Sequence, residues 1–127
     1  MEVNFGTDIT TANPRQIYEA LLTATNRALA EKRASYAKKV KEQNKKQVYY
    51  MSMEFLVGTS LKNNLWNLGV EEDIKKYFAS HNIDLEDFYE MEPDAGLGNG
   101  GLGRLASCYM DSLTTLGYPV TGYSIRY

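Results

Sequence analysis

The chain has 127 residues, with 14 Lys or Arg against 16 Asp or Glu and a net charge of -2. Its content of 43% hydrophobic and 24% charged residues excludes a disordered or collagen-like chain, and the charge favours no nucleic-acid partner. No uncharged stretch approaches the roughly 20 residues of a membrane helix, no signal-peptide pattern is present, and the single Cys108 cannot form an intrachain disulfide, so we expect a cytoplasmic protein without a membrane partner.

A helix is predicted over about 14–41, after a lead-in segment 1–12. Asn13 is suited to the N-cap, Pro14 to the first helical position and Gln16 to closing a capping box. Apolar residues then recur at helical spacing, namely Ile17, Leu21, Leu22, Ala24, Ala28 and Leu29. Residues 27–46 hold eight Lys or Arg, which we interpret as a solvated helix face, with phosphate binding as the alternative.

The run VYYMSMEFLVG, residues 48–58, predicts one strand buried on both faces, the first of a parallel sheet. Short helices are predicted after it, one capped by Thr59 or Ser60 and two more over about 70–79 and 84–91, with a turn at Asn82–Ile83 between those two. A helix over about 100–116, a stop at Gly117 and a second strand over 120–127 follow. This order predicts an α/β fold, which two strands cannot complete, so we expect the first part of a longer protein.

Five of the eight residues 96–103 are glycines, directly before the last helix. Each glycine in regular structure costs about 0.5–1 kcal/mol relative to alanine, so we expect a purpose other than stability. With Asn99 as N-cap, the N–H groups of Gly100, Gly101 and Leu102 would be free donors, and Arg104 would add a cation. The pattern predicts an anion site, above all for phosphate, whereas the alternative is that the glycines only let a loop pass close to a strand.

Two common nucleotide motifs do not explain the glycines. The spacing G-x-G-x-x-G occurs from Gly96, but we interpret the acidic segment before it as helical, and no acid follows at the required distance. A P-loop would need Lys and Ser or Thr where the chain has Arg104 and Leu105. The sequence therefore excludes both motifs.

Four further expectations concern single residues and one helix face. Glu54, near the carboxyl end of the predicted strand, is either a functional acid or a residue that pairs with Arg104 or caps the next helix. His81 is expected at the surface without a metal, and Cys108 as a buried, inert thiol. One face of the last helix is expected to pack into the core, formed by Leu102, Leu105, Ala106, Tyr109, Met110, Leu113 and Leu116.

The stretches YYMSMEFLVG and LGNGGLGRLASCYMDSLTTLGYPVTGYSIRY closely resemble the N-terminal part of the α-glucan phosphorylases, the family that acts on glycogen, starch and maltodextrin. The resemblance runs from about Asn13 to Tyr127. It implies a helix-rich, truncated part of a Rossmann-like domain in a two-domain, GT-B-like glycosyltransferase fold. Residues 1–127 would then be an incomplete N-terminal portion of that domain.

The resemblance implies an enzyme that cleaves terminal α-1,4-glucosyl units with inorganic phosphate, giving glucose 1-phosphate. Its cofactor would be pyridoxal 5'-phosphate, its partners an α-1,4-glucan and phosphate, and the full-length protein would be a homodimer. The alternative is a noncatalytic module that binds an anion or a glucan or docks onto another chain.

The resemblance also implies roles for individual residues. Gly101 and Leu102 would be backbone donors near the substrate phosphate and the glucosyl unit. Asn99, Gly100 and Arg104 would lie near the cofactor, and Glu54 would be a supporting residue of the cleft. The lysine that holds the cofactor as a Schiff base would lie beyond this chain, so the chain alone is expected to be inactive. Thr59 replaces an arginine frequent in the family, which puts one local contact in doubt.

Overall fold

The computed structural model describes residues 6–125, which divide into two compact units, one of residues 6–34 with 60–93 and one of 35–59 with 94–125. The elements in chain order are α1 (Pro14–Glu42), β1 (Val48–Met51), β2 (Phe55–Gly58), α2 (Leu61–Leu68), α3 (Glu71–Ala79), α4 (Glu86–Glu90), β3 (Ala95–Leu97), α5 (Gly101–Thr115) and β4 (Val120–Tyr123). The chain is thus helix-rich α/β, as predicted. Among the described residues, no helix is both long and apolar enough to cross a membrane.

The first unit is held together by an apolar core beside a well-capped helix α1. The Asn13 side chain accepts a hydrogen bond from the Gln16 N–H at 2.9 Å, and the Asn13 N–H donates to Gln16 Oε1 at 3.0 Å, so the predicted capping box is confirmed. The buried core consists of Ile9, Ile17, Leu21, Leu61, Leu65, Phe78, Leu85 and Phe88. Ala24, predicted on the same helix stripe, is exposed.

The N-terminus of α2 is capped by a distant carboxylate. Glu92 accepts hydrogen bonds from the N–H groups of Ser60 and Leu61 at 2.9 and 2.8 Å and from the Ser60 hydroxyl at 3.1 Å. A negative charge is favourable at this end of a helix. Ser60 is thus the N-cap residue, as predicted, but its side chain makes no capping hydrogen bond, and a carboxylate 32 positions away in sequence takes that role.

The predicted strand 48–58 is two strands in separate sheets. β1 pairs in parallel with β4, from Val48 opposite Val120, as predicted for the two strands of the sequence. β2 instead pairs antiparallel with β3, which the sequence did not predict. The strand is also not buried on both faces, since residues along β1 alternate between half-buried and exposed. Of the predicted second strand, β4 ends at Tyr123, and residues 126–127 lie outside the described residues.

Helix α5 packs on β2 through small residues. Its buried positions are Gly103 and Ala106, which let the helix approach the sheet closely. The larger side chains turn away, with Leu102 57% and Leu116 71% exposed, so the predicted apolar face is wrong at these positions and at the half-exposed Leu105 and Tyr109. Cys108 is exposed, which corrects its predicted burial.

Helix α5 ends before Gly117, the stop that the sequence predicted. Gly117 is left-handed with φ 72°, and the Tyr118 N–H donates to the Leu113 carbonyl at 2.9 Å. The Tyr36 hydroxyl on α1 donates to the Gly117 carbonyl at 2.9 Å. Both contacts lie within the second unit and fix the C-terminal end of the helix whose N-terminus carries the predicted site.

Candidate functional site

The glycine turn, residues 96–103, joins β3 to α5 in the second unit. The acidic segment before the turn contains helix α4, as predicted, and the short strand β3 between that helix and the turn was not predicted. Gly100 is the N-cap, in an extended conformation, and α5 begins at Gly101. The prediction of Asn99 as N-cap is therefore wrong by one residue. With Gly100 as N-cap, the four N–H groups that lack a partner inside the helix belong to Gly100, Gly101, Leu102 and Gly103, so Gly100 is still one of them.

Glu54 holds the glycine turn. The half-buried residue lies between β1 and β2, and its Oε2 accepts a hydrogen bond from the Gly103 N–H at 3.2 Å. Of the two structural alternatives, pairing with Arg104 and capping a helix, capping is the one observed. The capped helix is α5, 49 residues ahead in sequence, and not the helix that follows next. Within residues 6–125, Glu54 forms no ion pair with Arg104. The carboxylate thus occupies one of the four free donors at the N-terminus of α5.

Two glycines are required by this contact. Gly98 has φ 118°, and a Cβ there would lie 2.6 Å from the Cβ and Cγ atoms of Glu54. A Cβ at Gly103 would lie 2.9 Å from Leu56 Cγ and 3.2 Å from Glu54 Oε2. For these two positions the structure supports the close-passage alternative, since the glycines let the turn close over Glu54 and β2.

Gly100 and Gly101 differ from these two glycines. A Cβ at either position would meet nothing within 4 Å, and both residues are exposed. No side chain of the described residues accepts a hydrogen bond from the N–H of Gly101 or Leu102. These two N–H groups at the positive end of a 15-residue helix are suited to an anion.

One cation and one carboxylate lie at the glycine turn. Asn99 and Arg104 are both exposed, and the Arg104 side chain forms no ion pair within the described part of the chain. Glu54 already offsets part of the positive potential at the helix end through its bond to Gly103. The positive potential at this helix end is therefore lower than the helix and Arg104 alone would give.

One contributor to the site was missed at the sequence level. The Ser52 hydroxyl donates to the Glu54 carbonyl at 2.9 Å and accepts from the Glu54 N–H at 3.3 Å. Serine is prone to such local side-chain to backbone bonds, which compete with strand pairing. A serine two residues before the acid was the available signal, and it also explains why the predicted strand breaks here.

Replacing Glu54 with alanine is expected to loosen the glycine turn, because it leaves the Gly103 N–H without its acceptor. In the 127-residue chain, amide exchange of Gly103 followed by NMR should become roughly ten- to a hundredfold faster. Glu54→Gln keeps an acceptor oxygen, so its Gly103 exchange rate should lie between those of Glu54→Ala and the unchanged chain. Equal exchange rates in Glu54→Ala and the unchanged chain would contradict the capping role.

The first unit contains a cavity of about 1100 Å³. It is lined mainly by apolar side chains of α1, α2 and α3, including Leu21, Leu65 and Phe78. None of the predicted site residues borders it. The described residues also contain no cluster of His, Cys, Asp and Glu able to hold a metal ion.

Comparison with known proteins gives a consistent result. The sequence model of the family described as Carbohydrate phosphorylase matches residues 78–127. The chain is 48% identical to the glycogen phosphorylase of Chlamydia pneumoniae over 116 residues, 91% of this chain and 14% of that protein. It is 56% identical to that of Chlamydia trachomatis over 82 residues, 65% of this chain and 10% of the relative. With the human brain form of glycogen phosphorylase it shares 41% identity over 120 residues, 94% of this chain and 14% of that protein. The chain thus spans about a seventh of the length of these relatives or less.

Proposed function

We propose that the chain belongs to the carbohydrate phosphorylase family and is part of a glycogen phosphorylase, an enzyme that cleaves terminal α-1,4-glucosyl units with inorganic phosphate. The products would be glucose 1-phosphate and the shortened glucan. The observation that carries the proposal is the N-terminus of α5, where the open N–H groups of Gly101 and Leu102 follow a turn held by Glu54. This arrangement fits an enzyme in which phosphate is a substrate.

Each predicted site residue has a role that its position supports. The N–H groups of Gly101 and Leu102 would donate to the anion, and the exposed Leu102 side chain would border the glucosyl unit. Glu54 would act as a positioning residue, since its carboxylate binds the Gly103 N–H and keeps the two donors directed outwards. Donors fixed before the reaction stabilise developing charge without reorganising, which is the main way such groups accelerate a reaction.

The residues also fit pyridoxal 5'-phosphate through its phosphate. The open space beside Gly100 and Gly101 admits a bulky anion, and Asn99 and Arg104 are exposed at the same end of α5. When bound, the cofactor would supply a phosphate group in acid-base contact with the substrate phosphate. The chain's own contribution would be to bind and orient anions, while the lysine that holds the cofactor would lie in another part of a longer protein.

The remaining features are proposals at the level of the whole enzyme. The described chain would be the start of a Rossmann-like domain in a two-domain, GT-B-like fold, and the enzyme would be a cytoplasmic homodimer. The chain alone would be inactive, because the helix end contributes only about 0.3–2 kcal/mol to anion binding. The matched relatives, of which it covers 14% or less, are consistent with a site completed by other residues.

Purified longer protein containing this chain, loaded with pyridoxal 5'-phosphate, is expected to release glucose 1-phosphate from maltodextrin and phosphate. Glucose 1-phosphate is measured by a coupled assay, with phosphate omitted as the control. Binding of glucan or phosphate without any product from the loaded protein would overturn the proposal in favour of a noncatalytic module.

A further inference from the structure

We propose that Ser52 is a positioning residue of the anion site, because its hydroxyl sets the backbone at Glu54 and thereby places the carboxylate that holds the glycine turn. The inference deepens the proposed function and rests on it for its effect on catalysis. The contact chain on which it depends lies entirely within the second unit, from Ser52 through Glu54 to Gly103.

The first link of this contact chain is a double hydrogen bond around Met53. The Ser52 hydroxyl donates to the carbonyl of Glu54 and accepts from its N–H, so both polar groups of the Glu54 backbone are bound by one side chain. The Ser52 N–H meanwhile donates to the Tyr123 carbonyl at 3.1 Å, which extends the pairing of β1 with β4. Ser52 therefore ties the segment between β1 and β2 to the parallel sheet through its N–H and to Glu54 through its hydroxyl.

The second link is the steric fit around the Glu54 side chain. Its Cβ and Cγ atoms lie 2.6 Å from the position that a Cβ of Gly98 would take, and its Oε2 accepts a hydrogen bond from the Gly103 N–H at 3.2 Å. Such close packing admits one path for the side chain, so a shift of the Glu54 backbone moves the carboxylate relative to the helix end. Losing the Ser52 hydroxyl frees that backbone and weakens the hold on Gly103.

The third link runs from Gly103 to the anion donors. Gly101 and Leu102 precede Gly103 in the same first turn of α5, so their N–H groups move with it. A looser turn would present these donors in a wider range of orientations. Catalysis depends on donors that are already aimed at the developing charge, so turnover should fall while glucan binding, which needs other contacts, stays constant.

The experiment uses the longer enzyme with three variants. Ser52→Ala removes the hydroxyl, Ser52→Thr keeps it, and Thr114→Ala is the matched control, since it removes a 2.7 Å hydroxyl-to-carbonyl bond at the opposite end of α5. Hydrogen exchange by mass spectrometry reports on peptides covering 94–105 and 35–59. Steady-state kinetics give kcat and the KM for maltodextrin.

For Ser52→Ala we expect exchange in the glycine turn to rise about two- to tenfold and kcat to fall by a similar factor, with the KM for maltodextrin unchanged. Ser52→Thr and Thr114→Ala should match the unchanged enzyme. Unaltered exchange and kcat in Ser52→Ala would overturn the inference, as would a rise in exchange confined to residues 35–59, or a rise in the turn without a fall in kcat. If the unchanged enzyme shows no phosphorolysis, the proposed function fails, while the exchange data still decide whether Ser52 controls the turn.

Discussion

Replacing Gly98 with alanine is expected to disrupt the glycine turn more than any other single glycine substitution there. The residue has φ 118°, a backbone conformation that residues other than glycine rarely adopt, and the added Cβ would lie 2.6 Å from two atoms of Glu54. Backbone strain of about 1–3 kcal/mol and overpacking of about 1–3 kcal/mol should together destabilise the second unit by about 2–6 kcal/mol. The Glu54 side chain would have to leave its place against Gly103.

The measurement is urea unfolding of the 127-residue chain, followed by circular dichroism at 222 nm. Gly100→Ala is the matched control, because its Cβ meets nothing within 4 Å and its φ is extended. We expect the Gly98→Ala midpoint to drop well below that of the control. A midpoint for Gly98→Ala equal to that of Gly100→Ala would show that the packing of Glu54 against Gly98 is not a constraint on the fold.

A paired variant separates strain from collision at Gly98. In Gly98→Ala combined with Glu54→Ala, the side chain that would collide is shortened to its Cβ, so part of the overpacking is relieved while the positive φ remains. The double variant is expected to lose less stability than the sum of the two single changes. Strict additivity would indicate that backbone strain and the contact with the Glu54 Cβ, and not the rest of that side chain, explain the Gly98 effect.

The sequence predicted the elements whose signals are local. The capping box at Asn13 and Gln16 and the stop at Gly117 both agree with the structure. Each depends on residues a few positions apart. Such signals act within one helical turn, so they can be read without knowing the tertiary contacts.

Two of the differences from the sequence predictions depend on a partner far away in sequence. Glu92 caps α2 from 32 residues away, and Glu54 bonds the Gly103 N–H 49 residues ahead. The predicted apolar face of α5 failed for another reason, since periodicity counts large side chains, whereas this helix packs on β2 through Gly103 and Ala106. Close approach through small residues leaves no hydrophobic signal in the sequence.

For the glycines of the candidate site, the sequence analysis treated anion binding and close passage of a loop as alternatives, whereas the structure divides the glycines into two groups. The expectation that glycines admit an anion remains a prediction for Gly100 and Gly101, which are open to solvent. Gly98 and Gly103 are required by contacts with Glu54 and β2. The two purposes are linked, because Gly98 and Gly103, which pack on Glu54, hold Gly100 and Gly101, which are free to face a ligand.

Replacing Gly101 with valine in the longer enzyme is expected to lower kcat about a hundred- to a thousandfold, the usual effect of losing one preorganised donor. The valine keeps the N–H but places its methyl groups in the open space through which an anion would reach that N–H. Since no atom lies within 4 Å of the new Cβ, and α5 is held to β2 through Gly103 and Ala106, the fold should be retained.

The measurement combines phosphorolysis kinetics with thermal unfolding of the same Gly101→Val preparation. Gly101→Ala is the matched control, since a single methyl group covers less of the N–H and should cost much less activity. Low kcat together with an unchanged unfolding temperature would assign the effect to the anion site, because the opposite pattern, lost stability, is what Gly98→Ala should give. Near-normal turnover in folded Gly101→Val would refute the role of this helix end in binding the substrate or cofactor phosphate. The contrast between the two positions rests on one structural difference, which is that a side chain at Gly98 collides with Glu54 while a side chain at Gly101 meets open space.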